Sequence, residues 1–263
     1  MRKLLVWLLA VLITLASAVY QRTTGPTYPL RGKVVVAGEE IRFRLPRSHD
    51  ITSDCSVAVK TAGSQINGRL EYKRYKTSDA WAEVDMTRED GQLVGYLPRQ
   101  PMAGKLAYRV FLMTGAEEVS LSGEAPVIIR FKGVVPTPAL IAHVIFMFLA
   151  MLFSTRTGLA ALDRKSDPRK LVLWTVALLF IGGFVLGPLV QKYAFGDWWT
   201  GFPLGFDLTD NKTLISMAGW VIALVAGRRG KPARGWTLAA SILMLVIFLV
   251  PHSLFGSELK YPE

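Results

Sequence analysis

Apolar residues fall along this chain in two patterns. Five stretches run almost without interruption, at residues 4–20, 138–153, 171–189, 214–226 and 236–250. A bilayer core needs about 20 mostly apolar residues per helix, so each stretch predicts a membrane segment. The fourth reaches full length only if its helix starts near Thr209. Between the first and second stretches the pattern shortens to alternation. Ile41, Phe43 and Leu45 share one face of a strand over 39–45, and Val57 and Val59 share a face over 56–61. Further strands are expected at 33–36, 68–75, 80–86, 92–97, 105–113 and 127–131, separated by Ala37-Gly38, Glu89-Asp90-Gly91, 101–104 and Thr114-Gly115.

This predicts a membrane α-helical bundle of four helices plus an N-terminal anchor or signal helix, with an inserted all-β domain. The expected division is 1–20 for the N-terminal segment and 21–135 for a β-sandwich. Residues 136–255 form the four-helix domain with an outer loop at 191–212, and 256–263 are a tail. The run Gly95-Tyr-Leu-Pro98 followed by Ala103-Gly-Lys-Leu-Ala-Tyr-Arg-Val110 resembles the later strands of immunoglobulin and fibronectin type III domains. That resemblance spans the β domain and implies a fold, not a function.

Charge adds orientation. The chain carries a net +11. Arg2 and Lys3 precede the first segment. Arg156, Arg164, Lys165, Arg169 and Lys170 lie around the connection between the second and third, and Arg228, Arg229, Lys231 and Arg234 around that between the fourth and fifth. These eleven cations meet only Asp163 and Asp167. Short basic loops stay in the cytoplasm. The expected location is therefore the cell inner membrane, with the N-terminus cytoplasmic and the β domain, the 191–212 loop and the C-terminus outside. The same distribution argues for the lipid bilayer and against nucleic acid as the partner of the positive charge.

The N-terminal segment fits two readings. Arg2-Lys3, the run to Leu15 and Ala16-Ser17-Ala18 match a cleavable signal. Trp7 and Tyr20 as interface markers match an uncleaved anchor. Cys55 is the only cysteine, so the β domain has no internal disulfide, and no CxxCH motif offers covalent haem attachment.

Little chemistry stands out in the β domain. His49 reads as a surface loop residue, and Lys73, Arg74 and Lys76 as a solvated or edge-protecting charge run. The bundle offers more. Thr137-Pro138 reads as an N-cap with proline at N1. His143 lies in the second segment with Met147 and Met151 on its face, and His252 follows Pro251 at the end of the fifth. Two histidines at similar depth are candidate axial ligands of a b-type haem. A divalent metal held by His143, His252 and Glu258 is the alternative, and hydrogen bonding to a carbonyl is the plainest reading.

The outer loop, from Tyr193 to Lys212, holds six aromatics, three glycines, a proline and three acids. It reads either as an interfacial aromatic belt or as a cap in which Trp198 and Trp199 cover a flat cofactor such as haem or a quinone ring. Asp207, Asp210, Asn211 and Lys212 crowd the start of the fourth helix, where acids complement the helix dipole. Gly196-Asp-Trp-Trp-Thr-Gly201, running on to Asp207, resembles the tryptophan-rich loop of haem-handling proteins of cytochrome c assembly. That likeness implies an outer-face haem site. Asn211-Lys-Thr213 is a formal glycosylation sequon at the membrane edge. Gly182-Gly183 and Gly187 suit close helix packing. No Walker loop, dinucleotide fingerprint, HExxH or nucleophile elbow occurs.

The functional expectation is a non-catalytic membrane subunit with an outer-face pocket, binding haem b in envelope electron transfer. The alternative is a scaffold or assembly factor whose β domain binds an exported partner and whose loop docks to another membrane subunit. A transporter-like or enzymatic role around Asp207 and Asp210 is the third.

Overall fold

A computed structural model describes residues 2–115, 117–228, 232–251, 256, 258, 259 and 261. The chain divides into two compact units. One comprises Met1–Pro26 with Val135–Ser257, and the other Thr27–Val134 with Glu258–Glu263.

The second unit is all-β. β1 (Leu30–Val36) and β2 (Glu39–Leu45) form a separate hairpin. Ala37 and Gly38 make its turn, both at positive φ (50° and 80°), the twist that a two-residue hairpin loop requires. The remaining strands are β3 (Ser48–Asp50), β4 (Cys55–Lys60), β5 (Asn67–Arg74), β6 (Ala82–Glu89), β7 (Gln92–Leu97), β8 (Lys105–Thr114), β9 (Glu117–Ser120) and β10 (Val127–Lys132). They make one eight-stranded path in the order β3-β10-β8-β5-β6-β7-β4, with β9 on β8. All pairings are antiparallel except β10 with β3. Alternation sends Cys55, Val57 and Val59 of β4 inward, where they join Ile41, Leu45, Leu70, Tyr108, Ile129 and Phe131 in a shared core. Tyr108 is buried and its hydroxyl donates to Pro46 O at 2.7 Å, so the ring enters the core without orphaning its polar end. Burial raises the Cys55 thiol to about 11.

Two expectations for this unit change. His49 is not in a loop: it lies in β3, opposite Phe131 of β10, with the two rings edge-on at 6.0 Å. Three residues are too few for alternation to announce a strand. Lys73 and Arg74 protect no edge, because β5 lies between β8 and β6. Instead Lys73 sits 5.4 Å over the Trp81 ring, and Arg74 clamps Asp79 at 2.6 and 2.8 Å.

The first unit is helical. Its described helices are α1 (Arg2–Thr24), α2 (Thr137–Leu162), α3 (Arg169–Phe195), α4 (Leu208–Ala226) and α5 (Arg234–Leu249). Three helices, Lys3–Thr24, Thr137–Leu162 and Arg169–Phe195, are long and apolar enough to cross a membrane. α5 is equally apolar but shorter. α1 packs into the unit. Trp7 meets Phe153 edge-on at 5.4 Å, Ala10, Thr14 and Ser17 are buried, and Gln21 donates to the carbonyls of Phe248 and Val250.

Thr137 is the first helical residue of α2 and not its cap. Pro136, at φ −53° and ψ 126°, takes the cap position, and no side chain bonds there. Small residues bring the helices together. A Cβ on Gly183 would fall 2.4 Å from Thr213 of α4, and one on Gly158 of α2 would fall 2.2 Å from Ser241 of α5. Ser241 in turn donates to Ser154 O at 2.9 Å. α3 widens to a π-helix over Phe180–Leu186, where Gly187 N–H bonds Gly182 O. Pro188 accounts for the widening. It lacks an N–H, and in an α-helix its ring would collide with the carbonyl four residues back.

Candidate functional site at the aromatic end of the helical unit

The end of the helical unit that holds the α3 C-terminus and the α4 N-terminus gathers the polar candidates of the sequence. Gly196, at φ 93°, stops α3, and its N–H bonds Lys192 O at 3.0 Å. The chain then folds back on itself. Leu204 and Gly205 N–H both bond Gly201 O at 2.9 Å, and Asp207 N–H bonds Thr200 O at 2.9 Å.

Asp210, in the first turn of α4, is the centre of this fold. One oxygen of its buried carboxylate accepts from Thr200 N (2.6 Å), Gly201 N (3.1 Å), Thr200 Oγ1 (3.2 Å) and Gln191 Nε2 (2.9 Å). The approach is close enough that a Cβ on Gly201 would fall 2.6 Å from the Asp210 Cβ. Asn211 Oδ1 accepts from Phe202 N at 2.8 Å. Asp207 is the N-cap, accepting from Thr209 N at 2.7 Å. Lys212 is buried and reaches the other way, donating to Val250 O (2.6 Å) and Pro251 O (3.0 Å) at the end of α5. These four side chains hold the loop and the helix ends in place.

The aromatics divide into two sets. Trp199 turns onto α3. Its ring stacks on Phe184 at 5.7 Å, Phe184 stacks on Phe180 at 6.2 Å, and its Nε1 donates to Phe202 O at 3.1 Å. Trp198, Phe202, Leu204 and Phe206 turn outward, at 56, 63, 78 and 89 % exposure. The two tryptophans expected to cover one site therefore face different surroundings.

His143 lies on α2 against the π segment. Its Nδ1 is 2.9 Å from Gly182 O. A carbonyl only accepts, so Nδ1 carries the proton, and the lone pair of the neutral ring is on Nε2. Nε2 has no hydrogen bond among the described residues. His252, its expected counterpart, lies outside the described residues.

Glu258 belongs to the β unit. Its carboxylate pairs with Lys76 at 2.9 Å and Lys105 at 3.6 Å. The Glu258 hydrogen bond raises the Lys76 ammonium, whereas burial lowers that of Lys105 despite the same carboxylate. Leu259 N–H bonds Ala103 O at 3.2 Å, and Tyr261 OH accepts from Lys105 N at 3.0 Å while the Arg74 guanidinium lies 5.2 Å over its ring. The segment expected as a tail is thus tied into the β unit. Among the described residues, no three of His, Cys, Asp and Glu come together as a metal-binding group.

Three functional positions escaped the sequence reading. Gln191 looked like a stray polar residue at the end of an apolar run, yet it bridges Asp210 and Thr200. Arg234 looked like one more topological cation. It is a cap, with Nη1 donating to the carbonyls of Ala160, Ala161 and Asp163 and Nη2 to those of Arg164 and Ser166. The π segment had its signal in Gly182-Gly183 followed by Pro188, which was read as packing alone. Comparison of the chain with protein-family models, with curated proteins and with solved structures finds no match.

Proposed function

We propose that this protein is a non-catalytic membrane subunit, a scaffold or assembly factor that docks to another membrane protein through the 196–207 loop. The observation that carries this is the Asp210 carboxylate. It gathers four donors so that the loop has one conformation, and that conformation turns Trp198, Phe202, Leu204 and Phe206 outward. An aromatic belt needs no such order, since Trp and Tyr reach the headgroup region from any helix end. A docking surface gains from it, because ordering cost is met before binding. No acid of the cluster is left over for catalysis: Asp207 caps, and Asp210 and Asn211 fasten the loop.

The β domain is the second arm of the reading, an immunoglobulin- or fibronectin-like module that meets an exported partner. Its antiparallel pairing around one core supports that, and its single eight-stranded path is the feature such a module has to accommodate. The orientation we favour puts it outside the cytoplasmic membrane. The eleven cations at the opposite loop ends support it. The attachment of Leu259 and Tyr261 to the β unit supports a shared side for the C-terminus and that domain.

A photo-crosslinking residue at position 206, activated in intact membranes, tests the docking reading. It predicts a discrete protein adduct that disappears in Asp210→Ala. Adducts to lipid alone would leave an interfacial belt and end the proposal.

The haem reading is favoured by one observation, the fixed tautomer of His143. Metal-bound histidines donate their second nitrogen to a carbonyl or carboxylate in this way. His143 fits as one axial ligand through Nε2, with His252 as the other and Trp199 beside the π segment. Haem would supply one-electron chemistry to the subunit. Absorbance of detergent-purified protein decides: a Soret band lost in His143→Ala is expected, and a featureless spectrum sinks the idea.

A further inference from the structure

The other end of the helical unit holds a cavity of about 410 Å³ between the start of α3, the end of α4 and the start of α5. Its size falls in the range of about 300–1,000 Å³ typical of small-ligand sites. The lining is of two kinds. Leu173 and Leu224 give it an apolar wall, and Arg169, Lys170 and Arg228 give it a cationic rim. Asp167 also lines it, but its carboxylate is engaged by the Arg169 guanidinium at 2.7 and 3.0 Å. Lys170 and Arg228 are exposed, and their side chains make no ion pair or hydrogen bond among the described residues. The rim therefore has two cations without a counter-charge.

Helix ends reinforce that balance. The N-termini of α3 and α5 both abut the cavity, and neither has a side-chain cap. Against these two positive ends stands one negative end, the C-terminus of α4. Arg234 contributes nothing to the rim, because its guanidinium is spent on the carbonyls of 160–166.

We propose that this cavity binds an anionic phospholipid, its phosphate between Lys170 and Arg228 and the start of an acyl chain along Leu173 and Leu224. A soluble anion has no use for the apolar wall, and a neutral lipid leaves the two cations unanswered. Lipid with a net negative headgroup meets both, as basic pockets between membrane helices do. The inference rests on the membrane spans and is independent of the docking reading.

Native mass spectrometry of the full chain, released from detergent containing equimolar phosphatidylglycerol and phosphatidylcholine, tests it. Retention of phosphatidylglycerol over phosphatidylcholine by about tenfold is expected, the scale set by two cations near an anionic headgroup. The double variant Lys170→Gln/Arg228→Gln brings the ratio near one. Arg164→Gln/Lys165→Gln, which removes as much charge from the same end but outside the cavity, keeps it. No preference in the parent protein, or equal loss in both double variants, overturns the proposal. Displacement of the lipid by millimolar inorganic phosphate also overturns it, in favour of a soluble anion site. If the first double variant does not fold, Leu173→Trp fills the cavity without changing charge; undiminished retention there is equally fatal.

Discussion

At one end of the helical unit, Arg234 spreads its guanidinium over five carbonyls between Ala160 and Ser166. At the other, Asp210 draws four donors of Gln191, Thr200 and Gly201 onto one carboxylate oxygen. Each solves the difficulty that a helix leaves its terminal groups unpaired where water is scarce. The basic end has excess carbonyls at the α2 C-terminus, so a forked cation answers them. The aromatic end has a longer loop whose amides point inward, so an anion answers these, while Lys212 and Gln21 cover the carbonyls at the end of α5. The lesson is that charge near these helix ends has two jobs. Some of it orients the chain in the membrane. A few residues, buried and fully bonded, hold the connections themselves.

Mutations separate the two jobs. Asp210→Ala should have the largest effect, since it orphans the inward amides of Thr200 and Gly201 together with Gln191. Unpaired buried donors cost about 1–3 kcal/mol each, and the loop escapes part of that by opening. We expect about 3 kcal/mol lost and rapid proteolysis between Gly196 and Asp207, read by thermal midpoint and limited digestion. An intact, protease-resistant loop would break the comparison at once. Arg234→Gln is expected to cost about 2 kcal/mol, because charge-assisted bonds to carbonyls are worth about 1.5–3 kcal/mol and several are lost. Arg234→Lys should recover only part, since an ammonium cannot fork over five acceptors. Full rescue by lysine would mean that the site needs charge alone. Gly158→Ala lies midway between the ends. Its Cβ would meet Ser241 at 2.2 Å, and overpacking of this kind costs about 1–3 kcal/mol. Repacking of the Ser241 hydroxyl is easy, so the low side, about 1 kcal/mol, is expected. A loss as large as that of Arg234→Gln would show that the middle of the unit, and not its ends, sets stability.

Periodicity made much of this legible. The β2 and β7 boundaries follow directly from alternation between two-residue turns, because Ala37-Gly38 and Asp90-Gly91 supply the positive φ that such turns need. The long apolar helices follow from composition. What escaped was short or cooperative. β3 and β9 have three and four residues, too few to show a period. The sandwich expected from sequence is present only as an all-β unit with one continuous strand path. Strand order depends on which edges meet, which no local pattern records. The polar cluster at 207–212 was visible as a cluster, but the donors that saturate Asp210 come from Gln191 and Thr200, and only the folded loop brings them there. Arg234 was legible as a charge and illegible as a cap, since its acceptors lie about seventy residues away.

The smallest effect should come from Asp167, and it tests the comparison from the opposite direction. This carboxylate sits at the basic end in a bidentate pair with Arg169, whose hydrogen bonds hold it down at about 2. The group is exposed, so solvent screens the pair. The sign is that of a depressed acid: whatever stability it gives is complete above its ordinary value near 3.8 and fades as pH falls toward 2. Asp167→Asn should therefore leave the thermal midpoint at pH 7 almost unchanged, and the parent and variant curves should converge as pH drops below 4. The buried carboxylate at the other end should show the reverse size of effect, since its partners have no water to fall back on. If Asp167→Asn destabilised the protein as much as Asp210→Ala, exposure would not be what distinguishes an orienting charge from one that fastens a connection, and the difference between the two ends would need another cause.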